Sequence, residues 1–417
     1  RETVTAQAFL TGQMEIVDHA GRVDTLESQL AAVTPEDVQR VARTWLVPEG
    51  RTTGWQLASG DGEVFAGADV PVDDVIEQEA VKPFSLERPW HLSDGIESGG
   101  SYGFQRMTLP NGIVLLTQAR PGDEAIDGTI SIEAGQTATG DLRPGVASMM
   151  ADMLNRGTAH RSFEEYNEAV DSLGAILGAG AGRRDVSVDF HSLAEDLPAV
   201  LDLVADLVRN PTFPEDELER VRQQIITGLR EDEDDTGSVA GDAMRELLYP
   251  EDSPSRQPLD GTVESVKEFT RDDLTGYHGA HVAPGTMRVA MVGGIDDIQQ
   301  AAEAIRRVFG DWQREAPEVV PPRRIERPDA LKRDDRIIAG KSQSNIIMAL
   351  PTIPRDHEDY YALNVANVIL GQLGLMGRLG SSVRDEQGLA YHVSSSLSPG
   401  QASSLWTARA GVDPANV

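Results

Sequence analysis

The sequence predicts an α+β protein assembled from repeated α/β units. Strand-like and helix-like stretches alternate along the chain, one helix–strand block occurs twice, and two stretches rich in proline divide the blocks.

Residues 1–60 read as a helix pair and a strand, the C-terminal part of a preceding unit. Thr34-Pro35-Glu36-Asp37 is a helix start, with threonine as N-cap, proline at the first helical position and acids in the first turn. Its apolar face runs Val38, Val41, Ala42, Trp45 and stops near Pro48. The same chemistry returns 236 residues later, at Thr270-Arg271-Asp272-Asp273, with Pro284 in the place of Pro48. Upstream, Thr25-Leu26-Glu27-Ser28 matches Thr262-Val263-Glu264-Ser265, and both copies run into an apolar strand, Thr53–Leu57 and Met287–Val292. Agreement at three points in order predicts duplicated domains rather than a solenoid.

Residues 61–100, acidic and carrying Pro83 and Pro89, read as a linker. Residues 101–315 read as a complete unit. Gln105–Leu109 and Ile113–Thr117 form a hairpin around Pro110-Asn111-Gly112, and Gly128–Ala134 is a strand. A helix over about 144–155 follows, and Ser162 caps another with Phe163, Tyr166, Ala169, Val170 and Leu173 on one face. Ala175–Ala181 and Asp185–Phe190 read as paired strands. Helices 197–209 and 214–230, the repeat block and helix 296–309 complete the unit. Residues 316–332, with Pro317, Pro321, Pro322 and Pro328, read as a second linker. Residues 333–417 then restart the pattern with strand Ser344–Leu350, helix His357–Leu370, a glycine-rich turn and strand Ala390–Leu397.

The formal net charge of −31 argues against nucleic acid as a partner, because phosphate binding needs clustered cations. It suits solubility, high salt, or a preference for cationic peptides. The run Glu231–Asp235 reads as a solvated helix end. Absence of cysteine excludes disulfides, thiol nucleophiles and cysteine zinc sites, and leaves the compartment open. Charges interrupt every helical stretch well before about 18 apolar residues, so no membrane span is expected. Arg1–Leu10 lacks the apolar core of a signal peptide. The chain opens in amphipathic sequence without an initiator methionine, which gives the expectation of a piece of a longer, fused protein.

Two segments carry the chemistry. The first is Pro144-Gly145-Val146-Ala147-Ser148-Met149-Met150-Ala151-Asp152-Met153-Leu154-Asn155-Arg156-Gly157-Thr158. With its surroundings it resembles the pitrilysin/insulinase (M16) family of zinc peptidases, which includes mitochondrial processing peptidase. In that family an inverted motif, His-x-x-Glu-His, occupies this helix. Histidines at i and i+4 share a helix face and grip one Zn²⁺, while the glutamate activates a zinc-bound water. By resemblance the motif positions here are Ser148, Ala151 and Asp152. The family's third ligand, a later glutamate, falls at Thr227 or Gly228. One carboxylate cannot assemble the three protein ligands of a catalytic zinc, so no metal is expected in this chain.

The second segment runs from Gly371 to Tyr391. Its glycine-rich turn (Gly371, Gly374, Gly377, Gly380) is followed by Arg384-Asp385-Glu386-Gln387-Gly388-Leu389-Ala390-Tyr391. It resembles the same family's Arg-Glu-x-x-Gly-Leu-x-Tyr signature. The resemblance implies that Arg384 and Tyr391 belong to the non-catalytic half and reach the substrate backbone beside a zinc held elsewhere. A guanidinium fork and a phenol suit a carbonyl oxygen that gains charge. A plainer alternative pairs Arg384 with Glu386 and packs Tyr391 in the core. The turn lacks phosphate-loop spacing. His278-x-x-His281 has possible ligand spacing, but the first copy of the block has no matching histidine.

The resemblance implies units of mostly antiparallel sheet with helices on one face. It implies a substrate-binding half without a cofactor of its own, whose partners are a zinc-bearing half, fused upstream or separate, and a peptide or unfolded protein. Alternatives are an inactive scaffold, like the core subunits that respiratory complexes share with this family, or a binding module for cationic peptides.

Overall fold

The computed structural model describes residues 28, 29, 31–45 and 105–417, and the chain divides into two compact units, 1–100 and 101–417. In the first, α1 (Pro35–Trp45) starts where the cap predicts. The Asp37 N–H donates to Thr34 Oγ1 (3.2 Å) and the Thr34 N–H donates back to Asp37 Oδ2 (3.2 Å). The expected strand Thr53–Leu57, the linker 61–100 and most of the Thr25–Ser28 match lie outside the described residues.

The second unit opens with the hairpin β1 (Gln105–Thr108) and β2 (Val114–Ala119), antiparallel as the Asn111-Gly112 turn requires. Then come β3 (Ala125–Ile132), α2 (Val146–Asp152), α3 (Phe163–Ser172), β4 (Ile176–Ala181) and β5 (Val186–Leu193). Helices α4 (Leu197–Arg209), α5 (Glu215–Asp234), α6 (Thr236–Leu248) and α7 (Arg271–His281) follow. Strand β6 (Met287–Gly293) and helix α8 (Ile298–Phe309) close the module. The strands form one sheet in the order β1-β2-β6-β3-β5-β4. Every pair is antiparallel except β2 and β6.

Alternation along the strands makes this sheet two-faced. Ile126, Ile130 and Ile132 of β3, Val186, Val188 and Phe190 of β5, and Val289 and Met291 of β6 are buried beneath the helices. The opposite face carries Asp127, Thr129, Ser131, Ser187, Asp189 and His191, all at least partly exposed. Helix α3 has the full capping box: Ser162 Oγ accepts from the Glu165 N–H and the Ser162 N–H donates to Glu165. Helix α7 repeats the cap of α1, with Thr270 and Asp273 exchanging the same two bonds, and both helices span 11 residues. Glu231–Asp235 is an exposed helix end. Helix α6 has no counterpart in the sequence-based expectation; Asp235 caps it, accepting from the Ser238 N–H at 2.7 Å.

The proline-rich residues 316–332 are held by hydrogen bonds to the module just described and to the smaller one that follows it, where the Ile325 N–H donates to Ser403 Oγ (3.0 Å). The Val320 N–H donates to Ala138 O (2.7 Å) and Arg184 donates to Val320 O (3.0 Å). A smaller module follows: β7 (Ser344–Thr352), α9 (Tyr360–Asn367), β8 (Ala390–Ser398) and β9 (Ser404–Val412), in the sheet order β7-β9-β8. This antiparallel trio reproduces β3-β5-β4, again with a helix between its first two strands in the chain. Helix α9 widens into a π-helical turn over Val368–Gln372. Helix α6 lies against the start of β7, where Asn345 donates to Thr236 Oγ1 (2.6 Å) and Lys341 pairs with Asp234 (2.7 Å).

The helix layer of this module does not cover its whole sheet. Ile346, Met348 and Leu350 of β7 register opposite Ala410, Ala408 and Trp406 of β9 and so share one face. Ala408 is buried and Trp406 donates its indole N–H to Asn367 Oδ1 (3.0 Å), yet Met348 and Leu350 are exposed.

Candidate functional site

The glycine-rich turn fixes how closely α9 approaches β8. A Cβ on Gly371 would lie 2.8 Å from the Ser395 backbone nitrogen, and one on Gly377 would lie 2.9 Å from Gly371 Cα. Gly371, Gly377 and Gly380 are buried, which makes their small size a packing requirement. Gly374 has φ +58° with open space around it, so there the need is conformational. The turn leads into a π-helical stretch, Gly380–Glu386, that ends beside β8.

That arrangement brings Arg384 and Tyr391 together. The Arg384 Cζ stands 5.7 Å from the centre of the Tyr391 ring. Tyr391 is 82% exposed, and the pairing of β8 with β9 shifts register between Ala390 and His392. A bulge re-aims a side chain without ending the strand. Here it turns the phenol outward, beside the half-buried guanidinium. Among the described residues no carboxylate pairs with Arg384, so the sequence-based alternative of an Arg384–Glu386 ion pair is not realised. Glu386 instead accepts from Ser381 Oγ (3.5 Å). The pair therefore presents several N–H donors and a phenolic O–H to solvent on one surface.

Several of the positions that the motif resemblance assigns to zinc ligation also come together. Asp152 on α2 and Gly228 on α5 line one cavity of about 500 Å³, together with Arg156, Asp232 and Asp260. Ser148 is buried and its hydroxyl donates to Asp260 Oδ1 (2.7 Å); Ala151 is fully buried in the core. Thr227 is exposed and its hydroxyl is spent on Gln223 O of its own helix (2.8 Å). Nothing in the linear sequence marks Asp260. It reaches Ser148 because two glycines permit close backbone contact: Gly145 has φ +91° and a Cβ there would lie 2.8 Å from Asp260 O, while Gly261 has φ +88°. Burial, with the charge of Asp260 added and that of Arg156 opposing, raises the Asp152 carboxyl to about 6.

These residues do not fit a zinc ion. The cavity offers no imidazole, the hydroxyl of Ser148 is already donated, and Ala151 has no functional group. Among the described residues, no group of three or more histidine, aspartate or glutamate side chains is placed to hold a metal. His278 and His281 do not form a ligand pair: His278 bonds Val208 O through Nε2 (2.8 Å) and is held near 4 by burial, and the His281 ring packs at a tilt of 56° against Tyr277, 4.6 Å between centres. Among the described residues no helix is long and apolar enough to cross a membrane.

A second feature escaped the sequence. Asp206 on α4, 5% exposed, accepts from Thr158 (2.6 Å), Arg161 (2.9 Å) and Asn210 (3.1 Å), and lies 2.6 Å from His160 Nδ1. It ties the loop after the degenerate helix to the helical layer, as a buried carboxylate satisfied on all sides.

Residues 114–252 match the insulinase family (peptidase family M16), and residues 268–417 match the peptidase M16 inactive domain. An uncharacterized zinc protease of Mycobacterium leprae is 31% identical over 301 residues, covering 71% of this chain and 66% of that one. The chain thus spans about two thirds of the length of that relative. Subunit 1 of the bovine mitochondrial cytochrome b-c1 complex is 26% identical, over 58% of this chain and 50% of its own. Among solved structures, a peptidase M16 inactive domain from Pseudomonas fluorescens superposes with TM-score 0.68 at 28% identity, covering 74% of each chain.

Proposed function

The chain belongs to the insulinase-type peptidase family M16, and from that premise we propose that it is the substrate-holding, non-catalytic half of a two-part peptidase. A zinc-bearing half, fused or separate, hydrolyses the peptide; this half binds and orients it. The observation that carries the reading is the outward-facing Arg384–Tyr391 pair on the bulge of β8, in a chain whose zinc positions hold no ligand set. In this reading the Arg384 fork and the Tyr391 hydroxyl donate to the carbonyl oxygen of the scissile peptide as it gains charge. They add donors to a site whose water is activated elsewhere. The polar, uncovered face of the larger sheet supplies a wall that an extended peptide can cross without burying unpaired groups. The domain boundaries at 61–100 and 316–332, read from the sequence as linkers between units, belong to the same proposal.

The test is reconstitution. The chain is combined with a zinc-bearing M16 half, and hydrolysis of a quenched fluorescent peptide is followed. Arg384→Ala is expected to lower kcat/KM by about 10- to 100-fold, or roughly 1.4–2.7 kcal/mol of transition-state stabilisation, with Tyr391→Phe showing a smaller loss. Unchanged turnover in both variants sinks the role given to the pair. A second reading, an inactive scaffold, is favoured by the likeness to the cytochrome b-c1 core subunit. It predicts that no zinc-bearing half gains activity from this chain, while the chain still assembles with a partner. A module for cationic peptides, suggested by the net charge of −31, predicts instead peptide affinity that falls steeply with salt.

A further inference from the structure

The two side chains of the candidate site are seven residues apart in the chain. Seven extended residues span roughly 23 Å, yet the Arg384 Cζ stands 5.7 Å from the centre of the Tyr391 ring. The chain between them turns back on itself, and its own bonds hold it there. The Gly388 N–H donates to Arg384 O (2.9 Å) and the Leu389 N–H donates to Val383 O (3.0 Å). Gln387 Nε2 donates to Ser382 O (2.9 Å).

These bonds close the π-helical stretch Gly380–Glu386 as a glycine closes an ordinary helix, with one residue in the left-handed region just past the end. That residue is Gly388, at φ +64°. A Cβ there would meet nothing within 4 Å. Packing therefore leaves room for a side chain, and handedness alone asks for glycine. Strand β8 begins just beyond, at Ala390, and its pairing with β9 skips Tyr391 between Ala390 and His392. Gly388 sets the direction in which the chain leaves the helix, and the bulge sets the side to which the phenol turns.

We propose that Gly388 is a positioning residue for the Arg384–Tyr391 pair: its left-handed turn brings the phenol beside the guanidinium. It offers no side chain of its own and acts only through the pair. Alanine at this position is driven towards negative φ, which swings Leu389–Tyr391 away from Arg384. Asparagine visits the left-handed region at little cost and keeps the turn. The effect of Gly388 on turnover rests on the role given to the pair above; its effect on geometry does not.

Geometry and turnover are read separately. The full chain is labelled with meta-fluorotyrosine, and the fluorine resonance of Tyr391 is identified by its loss in Tyr391→Phe. Arg384→Ala gives the position of that resonance without the cation. Gly388→Ala is expected to move it towards the Arg384→Ala position, and Gly388→Asn to leave it at the wild-type position. With a zinc-bearing M16 half added, Gly388→Ala is expected to lower kcat about tenfold with KM little changed, and Gly388→Asn to stay within about twofold of wild type. In an Arg384→Ala/Tyr391→Phe chain, Gly388→Ala is expected to lower kcat no further. Thermal melts check that each variant is folded. A Tyr391 resonance that stays in place in Gly388→Ala overturns the positioning role, whatever the turnover. A Gly388→Asn chain with a displaced resonance overturns it too, even if the alanine chain fails to fold. So does a further loss of kcat in the doubly substituted chain. A displaced resonance with unchanged turnover upholds the placing of the pair by Gly388 and sinks only the catalytic role given to the pair.

Discussion

Asp152 is a carboxylate whose chemistry is set by its surroundings. A metal-bound carboxylate is held charged; this one is pushed to about 6 by burial and by Asp260. The sign follows from linkage. Between pH 4 and pH 6 the folded chain holds a proton at Asp152 that the unfolded chain has already released. This group's contribution to stability therefore declines as pH rises through that window, and at neutral pH the charged carboxylate is a net cost. Asp152→Asn is expected to stabilise the protein at pH 7 by about 1–2 kcal/mol, allowing for screening at a partly exposed group, and to flatten stability between pH 4 and 6. Chemical denaturation of both proteins at pH 4, 6 and 7 checks it. A variant less stable than wild type at pH 7 contradicts the account.

At the scale of elements, the glycine-rich turn is a packing device whose consequences can be measured. Gly371→Ala places a methyl 2.8 Å from the Ser395 backbone nitrogen and from Leu379, and backbone cannot step aside as a flexible side chain can. A loss of about 1–3 kcal/mol is expected, with an earlier melting transition. Gly374→Ala instead tests left-handed strain in open space, and should cost about 1 kcal/mol. Local chemistry made much of this level legible. The caps at Thr34, Ser162 and Thr270, the hairpin at Asn111-Gly112 and the strands flanking Gly182 each rest on a few adjacent residues, and each appears where that chemistry puts it. What stayed hidden depends on distance in the chain. Asp260 acts only because Gly145 and Gly261 let two loops touch, and Asp206 gathers donors from a loop 45 to 48 residues away. Helix α6 was obscured by the glycines and polar residues at its start, Thr236-Gly237-Ser238, which weaken propensity that packing against β7 overrides. The Arg384–Tyr391 pair was named from its motif, but a bulge, which sequence does not announce, turns the phenol outward.

For the whole molecule, a formal charge of −31 sets a background of self-repulsion that salt relieves. The melting temperature is expected to rise by several degrees from low ionic strength to about 0.5 M sodium chloride, as screening shortens the Debye length towards a few ångströms. Calorimetry at the two salts decides it; a fall would mean that the local ion pairs, such as those of Arg184 and Arg288 with Glu133, outweigh the global term. The Ser148–Asp260 bond carries a further meaning at this scale. A histidine at 148 would remove the hydroxyl that the Asp260 carboxylate accepts from and crowd a helix that is buried along its length. A glutamate at 151 would drive a charge into the sealed core. No single step on that path yields a metal ligand set, and each one weakens the fold. The buried setting of α2 ties the identities at 148 and 151 to the fold itself, so tolerated change in this segment is confined to side chains that keep the Ser148–Asp260 bond and the sealed apolar packing.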